Sequence, residues 1–329
     1  FRVMFLSGVV KLGGPTWDSL TALNFHYFTQ PLPTPLAWYA HHLPGWVQVA
    51  SVVAVLVIEL VVPFLIFGPR RVRFAAAGIF VLLQLMILLT GNYTFFNVLT
   101  IVLCLPLLDD NLLEWLSVPV NLATVPDYRR WGELAVAIML ALLLLPAGAV
   151  RLLDRTDSAV VPEWATDGLN SISRWRLVNH YGLFARMTTT RPEIIIEGSN
   201  DRETWVPYDF RYKIDSPTDA PPIVAPHQPR LDWQMWFAAL GDIDRNRWLY
   251  DMAGGLMQGR PEVVCLFAEN PFPDVPPTYI RARYTQYTFT EPVTRRATGN
   301  WWVEVDQGLY FDVVWLTDPT TIRAEPISC

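Results

Sequence analysis

Trp46-Val47-Gln48-Val49-Ala50-Ser51-Val52-Val53-Ala54-Val55-Leu56-Val57-Ile58-Glu59-Leu60-Val61-Val62-Pro63-Phe64-Leu65-Ile66-Phe67 decides the fold. It holds a single ionisable side chain, Glu59. It is also as long as the ~20 residues an α-helix needs to cross a ~30 Å hydrocarbon core. Working outward, Phe74 to Thr90 is uncharged, and Trp131 to Val150 carries only Glu133, with Pro146 inside it. Asn92 to Leu108 supplies a shorter apolar span, and Phe1 to Val10 is an apolar opening with no initiator Met or basic leader. The expectation is five membrane elements, the first being the remnant of a helix whose upstream partners are missing.

The rest of the composition agrees. Of 329 residues, 52% are hydrophobic and 17% charged, against about 25% charged in ordinary soluble domains; mean hydropathy is +0.24. Residues 1–150 contain 7 Lys/Arg and 7 Asp/Glu, so the whole net charge of −6 lies after residue 150. The fold class expected is an α-helical integral membrane bundle followed by a soluble α+β domain, a β-sandwich with a helical insertion. The boundaries are a multi-pass membrane domain over 1–155 and a water-facing domain over 156–329, with the insertion at about 231–270. No basic stripe with interleaved aromatics points to nucleic acid. Cys104, Cys265 and Cys329 make no CxxC pair, although a Cys265–Cys329 disulfide is open to them.

Orientation follows from the turns. Gly68-Pro69-Arg70-Arg71-Val72-Arg73 packs three arginines between two spans and is expected on the cytoplasmic side. The Gly91-Asn92 turn, the loop from Gly13 to Gly45 and everything after Val150 then face outward. Within that loop Pro31, Pro33 and Pro35 fix φ and remove donors, so the chain should be extended there.

After residue 156 the hydrophobic period changes from helical to alternating. Glu193 to Glu197 and Thr204 to Tyr212 read as strands around the Gly198-Ser199-Asn200-Asp201 turn. Tyr279 to Thr290 is a further strand, and Asn300–Val305 with Leu309–Trp315 reads as a hairpin across Gln307-Gly308. Helices are expected over Asp232–Leu240, Arg247–Gln258 and Pro261–Glu269, the last opening on a first-turn proline. The Gly-Ser-Asn-Asp turn followed by Trp205 is similar to that of discoidin-like jelly rolls, a resemblance that implies glycan or lipid binding.

Ionisable groups in membrane segments are functional candidates because unpaired charge there is costly. Lys11 ends the first apolar run and is expected at its outward boundary, either as a snorkelling anchor or as a group held for chemistry. Glu59 is expected near the cytoplasmic end of its span, ion-paired with Arg2 or with the Arg70-Arg71-Arg73 loop. Asn92 and Asn97 are read as helix caps. The five histidines contain no i, i+4 pair and no HExxH, so no metal site is expected. There is no GxSxG, phosphate loop or dinucleotide fingerprint, and no cofactor is expected. Arg230-Leu231-Asp232-Trp233-Gln234-Met235-Trp236-Phe237 places Trp233, Trp236 and Phe237 at helical spacing. That is a core stripe on one reading, and on the other a partner-binding patch including Arg230 and Asp232.

These residues occur in strings that resemble the lipase maturation factor family. They include His26-Tyr27-Phe28-Thr29-Gln30-Pro31-Leu32-Pro33, Glu59-Leu60-Val61-Val62-Pro63-Phe64, Phe67-Gly68-Pro69-Arg70-Arg71 and Gly91-Asn92-Tyr93-Thr94-Phe95. Further on come Tyr181-Gly182-Leu183-Phe184, Ile194 to Ser199 and Ala225 to Phe237. The resemblance implies a membrane-bound folding or maturation factor for secreted lipases or other secreted client proteins. It also implies a lumenal C-terminal domain, in the endoplasmic reticulum membrane for eukaryotic members and the plasma membrane for a bacterial one. Separately, Gly8-Val9-Val10-Lys11-Leu12 followed by Trp17 is similar to the segment of vitamin K-dependent γ-carboxylase that carries its essential lysine. That similarity implies a second function: a membrane enzyme of quinone- or lipid-linked chemistry, with Lys11 as base and His26 lining a lipid-facing pocket. A third is a lipid- or glycan-binding membrane protein without chemistry.

Overall fold

The computed structural model describes residues 1–109, 127–156, 161–172, 184–318 and 321–324. Cys329, and with it the Cys265–Cys329 disulfide, lies outside them, as does Tyr181-Gly182-Leu183. The chain forms two compact units. One comprises Phe1–Gly14, Val55–Gly78 and Cys104–Ala185; the other comprises Pro15–Ala54, Ile79–Leu103 and Arg186–Cys329.

Among the described residues three helical segments are long and apolar enough to cross a bilayer: Gly45–Phe67, Arg70–Thr90 and Trp131–Val150. The protein is therefore an integral membrane protein. In chain order the elements begin with α1 (Arg2–Val9), α2 (Pro15–Asp18), α3 (Ala22–Thr29), α4 (Pro35–His41) and α5 (Gly45–Leu60). Pro63 cannot donate to a continuing α-helix, so the Gly45–Phe67 span finishes as a 3₁₀ turn over Val62–Phe67. Gly68-Pro69 ends it, and α6 (Arg70–Thr90) starts at the arginine turn. After α7 (Phe95–Val102) a 3₁₀ turn carries the helical stretch to Leu107, an apolar segment shorter than the three above, and α1 spans eight residues. Then come α8 (Asp127–Thr156), which contains Pro146, and α9 (Glu163–Ile172).

In the first unit, α1 lies against the end of the Gly45–Phe67 span. Phe1 and Phe5 stack on one another and meet Phe64, all with ring centroids 5.2 Å apart.

The second unit is built on one antiparallel sheet, ordered β2-β1-β3-β4-β5. Its strands are β1 (Arg191–Ser199), β2 (Val206–Pro207), β3 (Tyr279–Phe289), β4 (Trp302–Asp318) and β5 (Thr321–Ala324). Every residue of β1 is buried, which explains why its apolar run is continuous rather than alternating. Ile194 and Ile196 face one side, with Ile280, Ala282, Phe311 and Val314. The inserted helices α10 (Arg230–Ala239) and α11 (Trp248–Met257) pack there through Met235, Ala238, Leu249 and Leu256. Met235, Leu249 and Leu256 each contribute about 1.5–3 kcal/mol when fully buried. After the short α12 (Pro261–Val264), β3 leads into α13 (Pro292–Thr298).

On the sheet's other side Tyr287, Phe289 and Trp302 pack against Phe28 of α3, Ala37 and Trp38 of α4, and Ile214. Among the described residues, then, the five strands form one sheet, and helices and loop segments pack on both of its faces.

The expected hairpin over 300–315 is corrected: Trp302 to Asp318 is a single strand, paired with β3 from Trp302 to Trp315. From Thr285 to Ile280 β3 advances five residues while β4 advances eight, from Asp306 to Val314, so the mismatch is absorbed as bulges. Gly308, at φ 97°, takes the backbone conformation this requires, and Asp306 Oδ1 accepts its N–H. The Gln-Gly pair marks a bulge, not a reversal.

Candidate functional site

In the second unit the strings around Asn92 and Trp236 meet the His26–Pro33 string, the end of α3 and the loop that follows it to residue 34. Gln30 is extended, as the residue before a proline must be. Its side-chain amide donates to Tyr27 O at 3.1 Å and to Thr90 O, at the end of α6, at 2.7 Å. Thr34 adds Oγ1 to Leu89 O at 2.5 Å. Gly91 follows because nothing larger fits: a Cβ there would stand 2.1 Å from Gln30 Oε1.

Asn92 is 2% exposed and caps no helix, which corrects the capping expectation. Its Nδ2 donates to Leu32 O at 3.1 Å and Pro222 O at 2.9 Å, and its Oδ1 accepts from Val224 N and Ala225 N. Asn97 instead donates to Gln84 Oε1. His26 is buried, its ring stacked on Tyr93 at 6.2 Å.

Beneath this loop lies a buried ionic cluster that sequence reasoning missed. Arg191 is fully buried, and its Nη1 donates to Phe28 O at 2.9 Å and to Gln30 O. Its Nη2 donates to Pro31 O at 3.0 Å and pairs with Glu193 at 2.8 Å. Glu193 also meets Lys213 at 3.6 Å, and Lys213 pairs with Asp215. Two cations and two carboxylates balance. Burial lowers the Arg191 pKa, with Glu193 opposing it. Burial pushes the Asp215 carboxyl up to about 7 against the pull of Lys213. The Lys213 ammonium, though burial opposes it, is held above its ordinary value by Asp215 and Glu193. The available signal was Arg191-Pro192-Glu193 abutting Ile194-Ile195-Ile196: charges at the start of a strand buried on both faces must be buried as well.

The expected partner-binding residues lie on α10 but differ in role. Asp232 is 3% exposed, and its Oδ1 accepts the N–H groups of Tyr212 and Lys213 at 2.9 and 2.8 Å. Trp236 is half-buried and donates to Thr29 O at 2.8 Å, while the half-buried Trp233 sits edge-on to Tyr93. Arg230 is exposed, and so are Phe237, at 60%, and Leu240. The helix therefore fastens one side to the 26–34 loop and shows an apolar edge on the other. Among the described residues no group of three His, Cys, Asp or Glu side chains could hold a metal ion.

In the first unit Lys11 and Glu59 form an ion pair at 2.6 Å, both nearly buried, and Lys11 Nζ also donates to Ser7 O at 3.0 Å. This corrects two expectations. Glu59 pairs with Lys11, not with Arg2 or the arginine turn. Lys11 stands beside a residue roughly two-thirds along its span, not at the outward boundary. Arg70 takes Asp109 instead, and Arg73 Nε donates to Leu107 O at 2.8 Å. Arg2 lies against Gly148 of α8, its Nη2 3.3 Å from where a Cβ would stand.

Gly8 makes the Lys11–Glu59 contact possible, since a Cβ there would lie 2.9 Å from Glu59 Cβ and from Leu60 Cγ and Cδ2. Gly8→Ala is expected to destabilise by about 1–3 kcal/mol through overpacking. Thermal unfolding in detergent checks it; an unchanged midpoint would show that α1 shifts freely.

Residues 1–115 match the lipase maturation factor transmembrane domain, and residues 177–312 match the lipase maturation factor C-terminal domain. Lipase maturation factor 2 of Xenopus laevis is 35% identical over 97% of this chain and 60% of its own length. The human form of that protein is 36% identical over 97% and 59%, and human lipase maturation factor 1 is 32% identical over 94% and 58%. The chain thus spans about 60% of the length of these relatives. No solved structure matches it. With both domain models matched in chain order and the similarity running through both halves, the chain belongs to the lipase maturation factor family.

Proposed function

We propose that this protein is a membrane-bound maturation factor that assists the folding of secreted lipases, with its β-rich domain on the lumenal or extracytoplasmic side. Membership of the family through both halves carries the reading, since the relatives' names refer to lipase maturation. Arg70, Arg71 and Arg73 between two spans support the orientation by the positive-inside rule. A folding factor needs exposed apolar surface to hold an incompletely packed client. The edge of α10 bearing Phe237 and Leu240, beside half-buried Trp233 and Trp236, is the surface proposed for this. The Lys11–Glu59 pair and the Arg191 cluster then maintain the scaffold.

The test is secreted lipase activity per unit of lipase, in cells lacking their own factor and supplied with this chain. Wild type is expected to restore activity, and Phe237→Asp to lower the restored activity severalfold at equal membrane abundance. Equal rescue by both moves the client surface elsewhere, and no rescue by wild type removes the lipase client. A C-terminal reporter active in the cytoplasm would overturn the orientation.

A further inference from the structure

A chain of contacts within the second unit ties the short helix α13 of the β-rich domain to the start of a membrane span. Trp46, 75% exposed, opens the Gly45–Phe67 span, where an interfacial aromatic is expected. One turn later Gln48 Nε2 donates back to Ala40 O at 2.6 Å and His41 O at 3.3 Å, tying the end of α4 to the start of α5. On α4, Trp38 Nε1 donates to Thr290 O at 3.1 Å, just before α13. Arg295 of α13 then lies over three rings: Trp301 at 3.5 Å, Trp38 at 4.7 Å and Tyr39 at 5.8 Å. These contacts hold α13 beside the residues that begin the span.

The outer side of this assembly has the composition of a lipid interface. Val293 of α13 is 77% exposed, and Tyr39, Leu36 and Leu43 near Trp46 are exposed as well. Arg296 is exposed and makes no ion pair among the described residues, while Glu291 supplies the only acid of the turn that leads in. An isolated apolar side chain beside a cation suits the boundary between headgroups and acyl chains, where the apolar part enters and the guanidinium meets phosphate.

We infer that α13 is a second, peripheral membrane contact of the β-rich domain, with Val293 entering the bilayer surface and Arg296 binding a phospholipid phosphate. The Gly45–Phe67 span argues for this occupant, because α13 is continuous with a surface that already begins at the membrane boundary. A domain held this way keeps one edge of its sheet against the bilayer rather than swinging on a linker. The inference rests on the membrane span and is independent of the lipase reading.

The test uses the full chain in phosphatidylcholine vesicles, with Cys104, Cys265 and Cys329 replaced by Ser and one nitroxide attached at Val293→Cys or Val275→Cys. Val275 is 64% exposed and precedes the far end of β3, about 30 Å away by the strand rise. The label at 293 is expected to be accessible to oxygen and shielded from a water-soluble nickel complex, at a depth of roughly 5–10 Å into the interface. The label at 275 is expected to be open to nickel. Adding Arg296→Glu should shift the label at 293 toward water. A label at 293 as open to nickel as that at 275 overturns the inference, and so does one closed to both reagents, which would place it against protein.

Discussion

Arg191→Met is expected to be among the two most damaging single substitutions in this protein, destabilising the β-rich unit by about 3–5 kcal/mol. The guanidinium binds the carbonyls of Phe28, Gln30 and Pro31 and pairs with Glu193, with none of it exposed to solvent. Methionine fills similar volume but leaves Glu193 ionised and short of a partner, and it orphans three carbonyls. Arg191→Lys should recover little, because one ammonium cannot reproduce the planar fork that reaches three acceptors and a carboxylate. Arg191→Met with Glu193→Leu should be milder than Arg191→Met alone, since it removes the stranded charge. Unfolding followed by tryptophan fluorescence in detergent, with limited proteolysis of the 26–34 loop, measures all three. A single mutant within 1 kcal/mol of wild type would mean that the loop is held mainly by Gln30, Thr34 and Asn92.

The second large effect is expected at Lys11. Lys11→Met strands the Glu59 carboxylate inside a membrane span, at a cost of about 3–5 kcal/mol. Glu59→Gln should cost less, because the longer lysine can bend toward water while the amide still accepts a bond. The double replacement Lys11→Met with Glu59→Leu removes both charges and should be more stable than Lys11→Met alone, a coupling that only a direct pair produces. Additive effects would refute the pairing. The same proteins separate packing from chemistry. If the double variant regains stability and still supports lipase secretion, Lys11 is structural. If it regains stability but supports no secretion, the charged pair is required for more than packing.

Local features of the chain were legible because each rests on residues close together in sequence. The Gly45–Phe67 span follows from composition alone. The start of α12 follows from Pro261, and strands β1 and β3 from runs of β-branched and aromatic residues. The same local reading misjudged β4, because Gln307-Gly308 is compatible both with a two-residue turn and with a bulge. Only the register against β3 selects between them.

Residues of the candidate site were legible as unusual but not in their roles. Trp233, Trp236 and Phe237 stood out by spacing, yet a helical period says which residues share a face and nothing about what that face meets. The structure gives Asp232 to the backbone of Tyr212 and Lys213, Trp236 to Thr29, and leaves Phe237 open.

By itself, then, the sequence determined that the protein lives in a membrane, where the three long apolar helices lie, and that a β-rich domain with inserted helices follows. Apolar length and periodicity are properties of contiguous residues in contact with a solvent. Tertiary structure alone decided that Lys11 meets Glu59, that Arg191 grips the 26–34 loop, and that Asn92 joins that loop to Pro222, 130 residues away. A buried charge or amide is stable beside any partner that satisfies it, so its choice depends on which distant segments the packed core brings within hydrogen-bonding reach.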